Sequence, residues 1–169
     1  VYKRQYIDIG EAYLHITKIA TDGTLDGNPA ILQNRGSVTG CIYDSILCHG
    51  FTKPLLQNPS SGSPTNYTVR NCIVFGGTNI TSISGSSGAS GAILVNNTHI
   101  NATGILANTN DHIVVAIGNA IYRTSGDCYS GNDPATAASH NAGSASSAWG
   151  TNAVNLLPSS AFVSVTASS

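Results

Sequence analysis

Charged residues are scarce in this chain. They make up 9% of its 169 residues, against roughly a quarter in an ordinary globular domain. Seven basic and eight acidic residues are scattered singly and sum to a net charge of −1. No basic stripe exists, so nucleic acid has no electrostatic footprint to bind and is not expected as a partner. No apolar run approaches the roughly 20 residues of a helical membrane span, so no membrane partner is expected either. Methionine is absent. The chain begins at Val1 and ends in the polar run VSVTASS. That reads as a processed piece, or as the ordered part of something longer.

Cysteine pairs of the metal-binding kind are missing too. Cys41, Cys48, Cys72 and Cys128 form no CxxC unit, and no Cys/His group has zinc spacing. Four cysteines permit two disulfides, and buried free thiols are the expectation. Gly, Ser, Thr and Asn take the place of charge. Hydrophobic residues at 41% still suffice for a core. The polar, charge-poor character suits an extracellular or particle-bound setting.

What the chain does contain is a spacing. In NYTVRNCIVFGG (66–77) the inward candidates Val69, Cys72 and Val74 lie three and then two residues apart. The same spacing fits Leu14, Thr17 and Ile19; Val38, Cys41 and Tyr43; Val95, Thr98 and Ile100; and Ala116, Asn119 and Ile121. A helix would repeat at three and four over several turns, and a plain strand would alternate by two. Three-then-two is what a strand gives when a bend shifts its inward register by one residue. The middle residues Thr17, Cys41, Cys72, Thr98 and Asn119 are then expected to stack inside the bend, one per coil. Val69, Val74, Ile100 and Ile121 are expected to fill the lumen beside them. Between the repeats lie the turn-rich runs TDGTLDGNPA, NPSSGSP and SISGSSGASGA. The implied fold is all-β: a coil of short parallel strands with loops leaving at fixed corners.

These segments resemble the right-handed parallel β-helix proteins, the fold of pectate-lyase-like enzymes and of phage tailspikes and fibres. The resemblance covers about residues 10 to 125 in roughly five coils. It implies a solenoid over 1–127 and an irregular C-terminal cap or strap over 128–169, with Trp149, Leu156, Leu157 and Phe162 as anchors. Under this register Cys72 stacks next to Cys41, and Arg70 points outward. Cys72→Asp is expected to collapse its coil and Arg70→Ala to be nearly silent.

A catalytic site is harder to find. Glycoside hydrolysis needs two facing carboxyl groups. Asp44 alone follows a repeat strand, and Phe75 and Gly76 stand at the equivalent place one coil later. The acid pairs of polygalacturonase-like enzymes and the acid cluster of a pectate-lyase-like calcium site are absent. Asp22, Thr24, Asp26 and Asn28 echo the start of a calcium loop, but Gln33 stands where its closing Glu would sit. Turn chemistry accounts for them. His15 and His99 are expected to face outward from their strands, and His49, His112 and His140 to lie in or near loops. No catalytic residue, cofactor or metal is therefore expected. Sequons at Asn66, Asn79, Asn96 and Asn101 are no more than this composition gives by chance. Tyr2, Tyr6, Tyr67, Phe51, Phe75 and Tyr122 lie near strand ends or loops, where exposed rings beside Asn, Ser and Thr stack on sugars. For Phe51 and Phe75 core packing is the expectation.

The function these features imply is structural. The resemblance points to a virion component, a tail spike or fibre domain or a capsid decoration protein. It would act at the virion surface or outside the cell, self-associating (a trimer suits the family), contacting other virion proteins and binding surface glycans. Two alternatives stand beside it: a polysaccharide lyase or hydrolase fragment, and an extracellular adhesin or filament subunit.

Overall fold

The computed structural model describes residues 7–9, 13–22, 32–34, 39–52, 54–58, 65–78, 80–83, 91–104, 106–108, 112–134, 136–144 and 148–155. The described residues hold strands and turns and no helix. Three short strands make each coil. The first coil has β1 (Ile7–Ile9), β2 (His15–Thr17) and β3 (Ala20–Asp22). The second has β4 (Leu32–Asn34), β5 (Ile42–Asp44) and β6 (Leu47–Phe51), and the third β7 (Leu56–Asn58), β8 (Thr68–Arg70) and β9 (Ile73–Gly76). The fourth has β10 (Thr81–Ile83), β11 (Ala92–Val95) and β12 (Thr98–Ile100). In the fifth are β13 (Leu106–Asn108), β14 (Ile113–Ile117) and β15 (Ala120–Tyr122), and in the sixth β16 (Tyr129–Gly131), β17 (Ala137–Ser139) and β18 (Ala142–Gly143).

Every strand pairs in parallel with its counterpart one coil away. The second strands form one sheet of six, β2-β5-β8-β11-β14-β17, and the third strands another, β3-β6-β9-β12-β15-β18. The first strands form β1-β4-β7-β10, with β13 and β16 as a separate pair. This is the expected parallel β-solenoid, with six rungs in its long sheets rather than about five. The added rung is β16–β18, which lies beyond residue 127. Past it, Thr151 and Val154 bridge to Ser139 and Ala142, so the start of the C-terminal strap is a further partial rung. Leu156, Leu157 and Phe162 lie outside the described residues.

The corner between the two long sheets explains the spacing. At each coil one residue takes a left-handed backbone: Lys18, Ser45, Asn71, Asn96, Gly118 and His140, with φ between 53° and 67°. That residue breaks the in–out alternation of the strand and turns the chain. The residue after it faces inward, three positions beyond the previous inward side chain and two before the next. Val69, Cys72 and Val74 follow this rule and are all buried.

The lumen is lined by buried side chains. Tyr43, Val69, Leu94 and Ala116 form one continuous row of fully buried side chains in β5, β8, β11 and β14. Cys48, Val74, His99 and Ile121 form another in β6, β9, β12 and β15. Each fully buried branched side chain stabilises the stack by about 1.5–3 kcal/mol. The rungs depend on one another, because a single coil has no opposite layer to bury against.

Candidate functional site

Two groupings of polar side chains stand out, one inside the corner and one outside it. The inner one is a row running Ile19, Ile46, Cys72, Asn97, Asn119, Asn141. Each of these accepts at its backbone carbonyl a hydrogen bond from the residue after its counterpart one coil on. Asn97, Asn119 and Asn141 are fully buried. The Asn97 Nδ2 donates to the Val69 carbonyl at 2.9 Å and to Asn119 Oδ1 at 2.9 Å. The Asn119 Nδ2 donates to the Leu94 carbonyl at 3.0 Å and to Asn141 Oδ1 at 3.1 Å. The Asn141 Nδ2 closes the run on the carbonyls of Ala116, at 2.7 Å, and Trp149, at 3.0 Å. Each Oδ1 also accepts a backbone N–H from the rung before it: Cys72 to Asn97, Asn97 to Asn119, and Asn119 to Asn141. Every side-chain donor of the three amides is used. A buried polar row of this kind is stable only when it is complete.

Trp149 ties the strap to this row. Its ring is buried and lies against Tyr129, centroids 5.0 Å apart. The Tyr129 hydroxyl lies 2.9 and 3.0 Å from the carbonyls of Asn119 and Ala142, which share its one proton. Burial pushes its pKa upward, so it stays a neutral donor.

The outer grouping centres on Asp44, which shares a row with Thr17 and Arg70. Arg70 Nε and Nη2 both reach Asp44 Oδ2 at 2.8 Å. Asn71 Nδ2 and the Ser45 hydroxyl donate to Oδ1 at 3.0 and 2.9 Å, and His15 Nε2 lies 3.8 Å from Oδ2. The Asn71 bond leads in holding this carboxylate down to about pKa 2; desolvation opposes it as the next largest effect, and the Ser45 bond and the Arg70 bond and charge add to the lowering. A carboxylate so saturated has no free lone pair for a metal and does not carry a proton near neutrality. It is therefore poorly suited to act as a general acid. The described residues hold no group of three or more His, Cys, Asp or Glu arranged for a metal ion.

Several expected positions fall elsewhere. Thr17 is exposed, and Ile16 and Ile19 take the inward places of the first coil. Lys18 makes the turn there, and nothing in a lysine announces a left-handed residue. In the second coil the inward set is Tyr43, Ile46 and Cys48. Cys41 is buried, but it follows the left-handed Gly40 at the upstream corner, in line with Tyr67. Cys41 and Cys72 therefore belong to different corners, and none of the four cysteines is in a disulfide. In the fourth coil the frame moves by one residue, to Leu94, Asn97 and His99. Asn96 takes the turn, so Val95 and Thr98 face outward. Ile100 is buried from the outer side, in register with Phe75 and Tyr122. Asn119 and Ile121 occupy the corner and the lumen.

Arg70 does point outward, into the Asp44 cluster. His15 is exposed, but His99 is inside and fully buried. Tyr67 is buried too and shares a hydrogen bond with Thr81, which removes it from any sugar-stacking surface. Phe75 and Tyr122 are half-buried on the outer face. Tyr2, Tyr6, the Phe51 side chain and the loop holding Thr24, Asp26 and Asn28 lie outside the described residues. Of the Asn ladder, the three-then-two frame contains Asn119 alone. The ladder's signal is the 22-residue interval between Asn97, Asn119 and Asn141.

No family model, curated protein or solved structure matches the chain.

Proposed function

We propose that this chain is a non-enzymatic structural protein: a rigid β-solenoid of a virion surface, in a tail spike or fibre or in a capsid decoration protein. The hydrogen-bonded stack is the working part. Its inner corner ends in a self-satisfied Asn ladder locked by Trp149, and such a row resists local opening because no donor can leave without orphaning the next. The polar cluster on its outside is spent on internal pairing, which argues against catalysis there. Loops leaving between the strands supply recognition. The half-buried rings of Phe75 and Tyr122 on the outer face supply apolar surface on which a glycan ring can stack.

The test is the mass and symmetry of the native assembly, by light scattering and by electron microscopy of the source particle. A regular array on a capsid or tail is the expected result. A free monomer that cleaves polysaccharides in a panel of uronate and neutral polymers would replace this reading with the enzymatic one.

A further inference from the structure

Among the described residues, His99 is the lumen residue whose hydrogen bonding the solenoid leaves unfinished. Its side chain is fully buried in β12. Nε2 faces the Gly76 carbonyl, which can only accept, so the proton sits on Nε2 and Nδ1 is bare. Nδ1 is buried and has no hydrogen-bond partner. The strands packed on β12 are β9 and β15, and in register with His99 they present Val74 and Ile121. Neither element offers an inward charge. Apart from imidazoles, the buried ionisable groups among the described residues are thiols and phenols: Cys41, Cys48, Cys72, Cys128, Tyr43, Tyr67 and Tyr129. His112 is the other buried imidazole. Burial raises the Cys48 and Cys72 thiols to about 12 and 11, so neither supplies a thiolate to pair with an imidazolium.

We propose that His99 is an acid-operated weak point in the stack: protonation of its ring inside the lumen forces apart the rungs at β9, β12 and β15. An imidazolium there would gain a proton at Nδ1 with no acceptor and a charge with no partner. Burial holds the ring well below its ordinary value of 6.5, at about 4. Between those two values the unfolded chain takes up the proton and the folded chain does not. Stability is therefore full above pH 6.5 and falls as the pH drops towards 4. The consequence is a shaft that is firm at neutral pH and loosens on acidification.

The experiment compares thermal unfolding of the wild type and His99→Val from pH 7 to pH 4.5. Valine matches the residue one rung below. The wild type is expected to lose roughly sixty-fold in its folding equilibrium through this group, and the variant to lose that component of the pH profile. Parallel profiles in the two proteins would overturn the proposal. A second readout needs no variant. In the folded wild type, NMR of the labelled imidazole should show a neutral Nε2–H ring down to pH 5, and a ring titrating near 6.5 would overturn it as well.

Discussion

The two halves of the solenoid solve the same corner in different ways. In the first three coils the inner corner is filled by Ile19, Ile46 and Cys72, and in the last three by Asn97, Asn119 and Asn141. The interval between corner residues shortens in parallel, from 27 residues (19 to 46) to 22 (97 to 119 and 119 to 141). An apolar corner contributes burial and tolerates imprecise stacking. An amide corner contributes directed hydrogen bonds and demands strict register, because each Asn must reach the carbonyl one rung away. The long lower coils and short upper coils follow that division. Cys72 sits at the boundary: its thiol reaches the Arg70 carbonyl at 3.2 Å and lies 3.9 Å from the Tyr43 carbonyl, the acceptor an Asn would use.

Substitution at the centre of the ladder should separate the halves most. Asn119→Leu removes the amide partner of the Leu94 carbonyl and the acceptor of two Asn97 donors, its backbone N–H and one Nδ2–H, and should cost about 4 kcal/mol in a denaturant titration. Ile46→Leu in the apolar half should cost under about 1.5 kcal/mol. Equal losses would remove the distinction.

The boundary residue gives the next test. Cys72→Asp buries a carboxylate beside the Tyr43 carbonyl and should abolish the folded state at pH 7. Cys72→Asn extends the ladder by one rung and should stay within about 1 kcal/mol of wild type by thermal unfolding. Failure of both would show that the thiol is held by shape alone.

Backbone geometry predicts a smaller effect. Gly118 has φ +67°, and a Cβ there would lie 2.4 Å from Asn96 Oδ1. Gly118→Ala should cost about 1–3 kcal/mol, and the double variant with Asn96→Ala should recover part of it. Least of all, Arg70→Ala removes one partner from a half-exposed pair and should cost under about 1 kcal/mol. Its clearer sign is a rise in the Asp44 pKa from about 2, readable by carboxyl NMR. Because Asp44 is lowered in the folded state, the stability it contributes is present above the ordinary carboxylate pKa and fades as pH falls through 2.

Much of the solenoid was legible from residue spacing. The repeat at 69, 72 and 74 identified a bent parallel strand, and the same frame held at 116, 119 and 121. It slipped at Thr98, where two consecutive Asn residues offer two candidates for the turn. It slipped again at Cys41, because a second corner beside Gly40 carries similar punctuation. At Lys18 the left-handed turn has no signature in composition at all. His99 was misplaced for the same reason as Thr98: a one-residue shift exchanges the inner and outer faces of a strand.

The sequence by itself determined that this chain would coil, since its inward residues recur at a spacing only a bent strand can use and its charges are too few for a wrapped charged surface. Which residue turns at each rung, and so which side chains meet inside, depends on the stacked rungs. The reason is physical. Local propensity for a left-handed residue differs among candidates by a kilocalorie or so, whereas the choice is made by how each rung stacks on the next. That stacking put Asn97 over Asn119, moved Asp44 beside Arg70, and closed an imidazole inside an apolar row.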